Sequence, residues 1–569
     1  MSDKTTMTPD GDVYATRFDE HGREVAHFPM VRTGGPNAVV YAKPDQAIPI
    51  VFVPGVMGSP LVAVNGDSPI AVKGNKWAWF PDSILWLAGI PFIKTGFRST
   101  TAKQRSTLLK TERTRVPLPH EADLSGLQDL SEETKNVAIH SEAEYRRRGW
   151  GSVILGSHGY GSILTYLDYT LNHAYEAGHI SGLWKAGVQR IHDLVYEQKA
   201  EHLVKHQEQE ASPFMDEDVA CLGNWYFPVY AAGYNWLESN DASAQKLGQR
   251  IKDVLADCRE RLGFKCDKVI LVTHSMGGLV ARMCAKKYSD KIMGIVHGVQ
   301  PINGSGAAYH RVMSGWDFDL GVGMIFGTEP KTLTPIFANA GPLQLLPNKQ
   351  YGAGWLTINK VNDGTYKHHH EQLIKLPLEN PYQEIYRDTE SWWRIVDPEL
   401  VMPESSHLQE KIGFYNKNIK EAERFHDEIA DFFHSETYIH YGQSQKHKTW
   451  YKINIDVNKV PYSIFGEWYP IAKNDEILRG KLAIPFRFGS NVGDVEVSLN
   501  RRLHAELSAR DDAGDGTVPA SSMHLDNSNK VKAVTIIDHI EHGASYNHEL
   551  SRLATLYGIC RIVKKHGST

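Results

Sequence analysis

The chain has 569 residues, 41% hydrophobic and 23% charged, the balance of an ordinary globular protein with room for more than one structural unit. A formal net charge of −5 excludes the basic surplus expected of a nucleic-acid binder. The five cysteines, Cys221, Cys258, Cys266, Cys284 and Cys560, are too few and odd in number for a disulfide framework, and they point to synthesis in a reducing compartment.

The first residues, MSDKTTMTPDGDVYATRFDE, are polar and acidic, so no secretory signal peptide is expected; action outside the cell would need export without a cleaved leader. Residues 12–28 alternate as a hairpin does, DVYATRF and REVAHF around Glu20-His21-Gly22, within an N-terminal extension over 1–47. The first core strand is Ile48 to Val53, closed by Pro54-Gly55. Residues 77–93 are rich in Trp, Leu and Ile; lying just after the strand-end loop, they read as a lipid-facing flap or as a packed element. The apolar run within it, ILWLAGIPFI from Ile84 to Ile93, falls short of the about 20 residues that span a bilayer. A second apolar segment, Trp225 to Ala232, leads into Gly233-Tyr234-Asn235-Trp236.

A helix follows, capped by Asn240 or Asp241, with Leu247, Ile251, Val254, Leu255, Cys258 and Leu262 at helical spacing and Gly263 as its stop. Next comes KVILVTHSMGGLVAR, Lys268 to Arg282: a buried strand, a turn, then a helix. Another buried strand runs from Ile292 to Val296. Buried β-runs alternating with amphipathic helices predict an α/β fold, a mainly parallel sheet covered by helices on both faces. From 311 to 433 the rhythm breaks, with one clear helix over 418–433, which suits a large inserted cap or lid. Core strands resume at Thr437 to Gly442 and Val531 to Ile537, so the core is expected over 48–310 and 434–569.

Strand, sharp turn with a serine at its apex, then helix is the context of an α/β-hydrolase nucleophile elbow, although Thr273 stands where its first glycine would be. Ser275 is the candidate nucleophile, and it needs a base oriented by an acid. The acid candidate is Asp515, between glycines in AGDGTVP; the base candidate is His542, on the loop after the last strand, with His539 and His548 as rivals. Oxyanion donors are expected at the backbone N–H of Met276 and, from the first strand's loop, of Met57. A second serine turn, Gly156-Ser157-His158-Gly159, has a charged lead-in that makes a poor central strand. DDAGDG, Asp511 to Gly516, starts like a calcium loop, but Ala513 and Ser522 break its ligand set. His368-His369-His370 lack partners at ligand spacing, so no metal and no cofactor is assigned.

These residues also carry a resemblance. FVPGVMGSPL (52–61), AGYNW (232–236), VTHSMGGLVAR, LLP (345–347), YIHYGQSQKHKT, GDGTVP and IEH (540–542) resemble, in order, blocks of the lecithin:cholesterol acyltransferase-like lipases. RGWGSV (148–153), GYNWLESN (233–240) and EHGASY (541–546) are similar to bacterial type VI secretion lipase effectors. The resemblance implies a serine phospholipase with Ser275, Asp515 and His542 as triad, acting on membrane glycerophospholipids through an acyl-enzyme. It also implies an antibacterial protein made in a bacterial cytoplasm, carried by a secretion spike or tube component into a rival's periplasm, and neutralised in the producer by an immunity protein. The same triad would serve a lipid acyltransferase, and a non-catalytic scaffold binding lipid or a partner is the third reading.

Overall fold

The computed structural model describes residues 17–18, 24–25, 44–64, 76–81, 97–129, 140–156, 159–176, 179–182, 184–187, 190, 216–316, 330–362, 369–391, 393–458, 487–488, 491–492, 504–523 and 531–567. Residues 82–93 of the expected flap, the serine turn at Ser157, and His368 lie outside them.

Six strands form one sheet: β1 (Ile50–Val53), β2 (Val229–Ala231), β3 (Val269–His274), β4 (Ile292–Gly298), β5 (Thr437–Gly442) and β6 (Val531–Ile537). They lie in the order β6-β5-β4-β3-β1-β2, and every pair is parallel. The central strands are runs of Val, Ile and Leu because a parallel sheet is buried on both faces. Successive side chains go to opposite sides. Val51, Val53 and Leu271 join the apolar cluster of helices α2 (Asn240–Ala256), α3 (Gly277–Tyr288) and α4 (Leu408–Ile429). Ile50, Phe52, Ile270 and Val272 meet α1 (Gly161–Asn172) and α5 (Glu549–Gly567) on the other side. The doubly covered parallel sheet expected from the sequence is therefore present.

From β1 the chain steps to one side to make β2, then returns past β1 to make β3. This reversal sets the carboxyl ends of β1 and β3 side by side, the topological switch point where α/β sheets hold ligands.

Two helix expectations are corrected. Ser239, rather than Asn240 or Asp241, caps α2: its Oγ accepts the Ala242 N–H at 3.3 Å. Asn240 already lies in the first turn, and its N–H goes to Gln344 Oε1 at 2.7 Å. Gly263, at φ +79°, does stand after the last turn. Helix α4 begins about ten residues before the expected Asn418 and ends before Phe433. Its buried stripe of Tyr415, Ile419, Ala422, Phe425 and Ile429 extends back into turns whose polar residues hid it.

A second sheet, ordered 369–376, 356–362, 453–458, 504–507, draws strands from both sides of residue 433. Its strands were not foreseen, since a segment such as His369–Leu376 (HHEQLIKL) is mostly polar. Arg17–Phe18 pairs antiparallel with Glu24–Val25. Among the described residues no helix is long and apolar enough to cross a membrane.

Candidate active site

Strand β3 is buried along its whole length and delivers the chain to Ser275, whose φ of +52° is rare for a residue with a side chain. The turn closes by hydrogen bonds from Ser275 N to Gly298 O and from Gly278 N to Ser275 O, both 2.9 Å. It can be this tight only because of the glycine after Met276. A Cβ on Gly277 would sit 2.4 Å from Pro54 O and 2.5 Å from Val53 O. Thr273, the departure from glycine, is accommodated across the sheet: its Oγ1 bonds to Nδ1 of His297 on β4 at 2.9 Å.

The structure brings the three separated side chains together. His542 Nε2 lies 2.8 Å from Ser275 Oγ, and His542 Nδ1 lies 2.7 Å from Asp515 Oδ2. The other carboxylate oxygen of Asp515 accepts the N–H groups of Thr517 (2.9 Å) and Val518 (2.7 Å), which hold the acid in place. The loop of His542 is pinned to that of Asp515 by the His542 N–H, which donates to Asp515 O at 2.9 Å. Gly516, at φ +87°, supplies the bend beside the acid. Of the two rivals, His539 is largely exposed and beside Asp538, and His548 has no hydrogen bond to Ser275 or Asp515. A hydroxyl, an imidazole and a carboxylate in this row can move the serine proton to the ring, while the carboxylate fixes the tautomer.

Met57, in the loop after β1, also has a left-handed backbone, φ +61°. Its carbonyl accepts the Trp79 indole N–H at 2.7 Å. Tyr234 Oη donates to Pro54 O at 3.0 Å, and Trp236 Nε1 to Ser59 O at 3.3 Å, so the Gly-Tyr-Asn-Trp segment braces the same loop. The loop meets the elbow closely: a Cβ on Gly55 would stand 3.0 Å from Ser275 Cβ. The N–H groups of Met57 and Met276 donate to no other described residue, so both remain available.

Sequence reasoning missed His274. It is buried, and desolvation, aided by repulsion from His542, lowers its pKa to about 3, so the ring is neutral. Its Nε2–H donates to the His542 carbonyl at 2.9 Å. Its Nδ1 therefore accepts the Tyr160 hydroxyl at 3.0 Å, and Tyr160 Oη in turn accepts the Gly55 N–H at 3.1 Å. One polar chain thus links the loop after β1, the elbow and the loop carrying the base. The only signal in sequence was a histidine directly before the serine; Tyr160 lies in the segment of the rival serine turn and carried none.

Among the described residues no group of three or more His, Cys, Asp or Glu could hold a metal ion.

No protein-family model and no curated protein matches the chain. Among solved structures it is similar to the one described as the crystal structure of the Tle4–Tli4 complex, with 24% identity over 91% of this chain and 99% of that one and a TM-score of 0.67. It is also similar to lipase 1 from Pelosinus fermentans, with 11% identity over 63% of this chain and 93% of that one and a TM-score of 0.23. For phospholipase PlaB from Legionella pneumophila the figures are 12% identity, 42%, 60% and a TM-score of 0.13. The correspondence of fold rests on the first of these, and the chain has the α/β-hydrolase fold.

Proposed function

We propose that this chain is a serine lipase that hydrolyses carboxylic esters of membrane glycerophospholipids. The observation that carries the reading is the hydrogen-bonded row Ser275–His542–Asp515, with contacts of 2.8 and 2.7 Å, at the end of a parallel sheet. Ser275 Oγ attacks the ester carbonyl while His542 Nε2 takes its proton. Asp515 holds the Nδ1–H tautomer and stabilises the imidazolium. The N–H groups of Met57 and Met276 receive the oxyanion, each contributing about 3 kcal/mol to the transition state. His542 then protonates the leaving alcohol and activates a water that releases the fatty acid.

Residues 311–433 are read as an inserted cap or lid. The chain would act as an antibacterial effector in a rival's periplasm. A dedicated immunity protein would be its partner, a reading supported by the similarity to a chain from a structure of two named components, Tle4 and Tli4. A spike or tube component of the secretion machine would be a second partner. The test is fatty-acid release from defined phospholipid vesicles by the wild type and by Ser275→Ala. Release at similar rates would remove the mechanism. Unaffected growth on periplasmic expression of the wild type would remove the antibacterial role.

A further inference from the structure

Two cysteines that the serine chemistry leaves unused are neighbours, although they lie far apart in the sequence. Cys221 opens the short turn Cys221–Asn224, and Cys560 lies fully buried on α5. Both thiols donate to one backbone carbonyl, that of Asp218, at 2.9 Å from Cys221 and 2.7 Å from Cys560. Two sulfurs within hydrogen-bond distance of one oxygen are close neighbours, and a disulfide would draw them to roughly 2.04 Å.

The surroundings favour a thiolate on Cys221 and disfavour one on Cys560, whose thiol burial pushes up. The buried Asp218 carboxylate is paired with Arg561, at 3.3 Å, and with Lys564. The Cys221 thiol is held below its ordinary value, chiefly by the neighbouring Cys560 thiol and with help from Lys564, against burial and the Asp218 charge. Cys221 is partly exposed and Cys560 is not, so an oxidant meets Cys221 first.

We propose that Cys221 and Cys560 form a latent disulfide, free where the chain is made and closed when it meets an oxidising compartment. The oxidant is a small or protein disulfide. The Cys221 thiolate attacks one of its sulfurs, expelling one thiolate and forming a mixed disulfide. The Cys560 thiol then attacks Cys221 Sγ and expels the second thiolate, which takes up the Cys560 proton. Two protein thiols are oxidised by two electrons, and one external disulfide becomes two thiols. The bond ties the turn before β2 to the C-terminal helix, closing a loop that contains Ser275, Asp515 and His542. A loop of that length strongly restricts the unfolded chain. The inference does not depend on the hydrolase reading.

The full chain, purified with reductant, is divided, and one half is treated with oxidised glutathione. Both halves are quenched in acid, alkylated under denaturing conditions and mapped by mass spectrometry. The expected result is a peptide linking Cys221 to Cys560 in the oxidised half only, while Cys284, whose thiol burial pushes up to about 12, stays alkylated. The oxidised wild type should also melt several degrees higher than the reduced one, a gain absent in Cys221→Ser. Recovery of Cys221 and Cys560 as alkylated thiols, or of Cys221 only as a glutathione adduct, would overturn the proposal. If Cys221→Ser does not fold, the wild-type map alone decides.

Discussion

The Nε2–H of His274 donates to the backbone carbonyl of His542 at 2.9 Å, joining the residue before the proposed nucleophile to the residue proposed as its base. The bond holds the base loop from beneath without engaging either nitrogen of the His542 ring. Because the other face of His274 reaches Tyr160 and through it Gly55, three loops that meet at Ser275 share one neutral imidazole.

Replacing that imidazole should therefore damage geometry more than binding. His274→Ala leaves the Tyr160 hydroxyl and the His542 carbonyl without their partner, costing about 2–4 kcal/mol of stability. We expect kcat on a soluble ester to fall by about 10- to 100-fold with KM little changed. An unchanged kcat in a folded variant would show that His274 positions nothing.

In the proposed triad, Asp515→Asn turns an amide N–H toward His542 Nδ1 and favours the wrong tautomer. The expected loss in kcat is about 10⁴-fold with the fold intact. Ser275→Ala should lose at least as much. Steady-state kinetics beside circular dichroism separates these effects from unfolding.

Trp79→Phe keeps an aromatic ring but removes the donor to the Met57 carbonyl. The peptide plane of Met57, and with it the proposed oxyanion donor at φ +61°, loses its anchor. A drop in kcat of about tenfold is expected, equal to about 1.4 kcal/mol of transition-state stabilisation. Thermal melting checks that the loss is not one of folded protein.

Gly277→Ala tests the packing of the elbow against β1. The added methyl would meet two backbone oxygens within 2.5 Å, and neither can rotate away as a side chain could. We expect destabilisation of about 2–4 kcal/mol, read from denaturant unfolding. A neutral substitution would mean that the turn is more yielding than its contacts imply.

Stability should also fall in mild acid. Burial lowers the pKa of His274 and His440 to about 3 and of His426 to about 4, and drives His297 well below its ordinary value. The unfolded chain binds protons at these sites below about pH 6.5, whereas the folded chain does not. Stability is thus complete above about pH 6.5 and declines toward pH 4, by up to about 1.4 kcal/mol per pH unit for each histidine. A melting temperature that stays flat from pH 8 to pH 5 would contradict this.

Along the chain, the features legible in sequence were those that local chemistry dictates. Val269 to Val272 are apolar because their strand is covered on both faces, and Gly277 is small because backbone lies against it. The proposed triad, Ser275, Asp515 and His542, stood out for the same reason: each sits on a turn with its own glycine or strand end. Sequence could not show what lies next to what across the fold. Thr273 is tolerated because His297 stands opposite it, and His274 matters because Tyr160 and the His542 carbonyl arrive from distant segments. In the second sheet His369–Leu376 is mostly polar and only its pairing reveals it, whereas Ile453–Asn458 alternates apolar and polar residues, a signal of period two that sequence reasoning passed over. Periodicity and turn chemistry act within a few residues and are written locally; hydrogen bonds between remote loops depend on how the sheet gathers its strand ends, which tertiary structure alone decides.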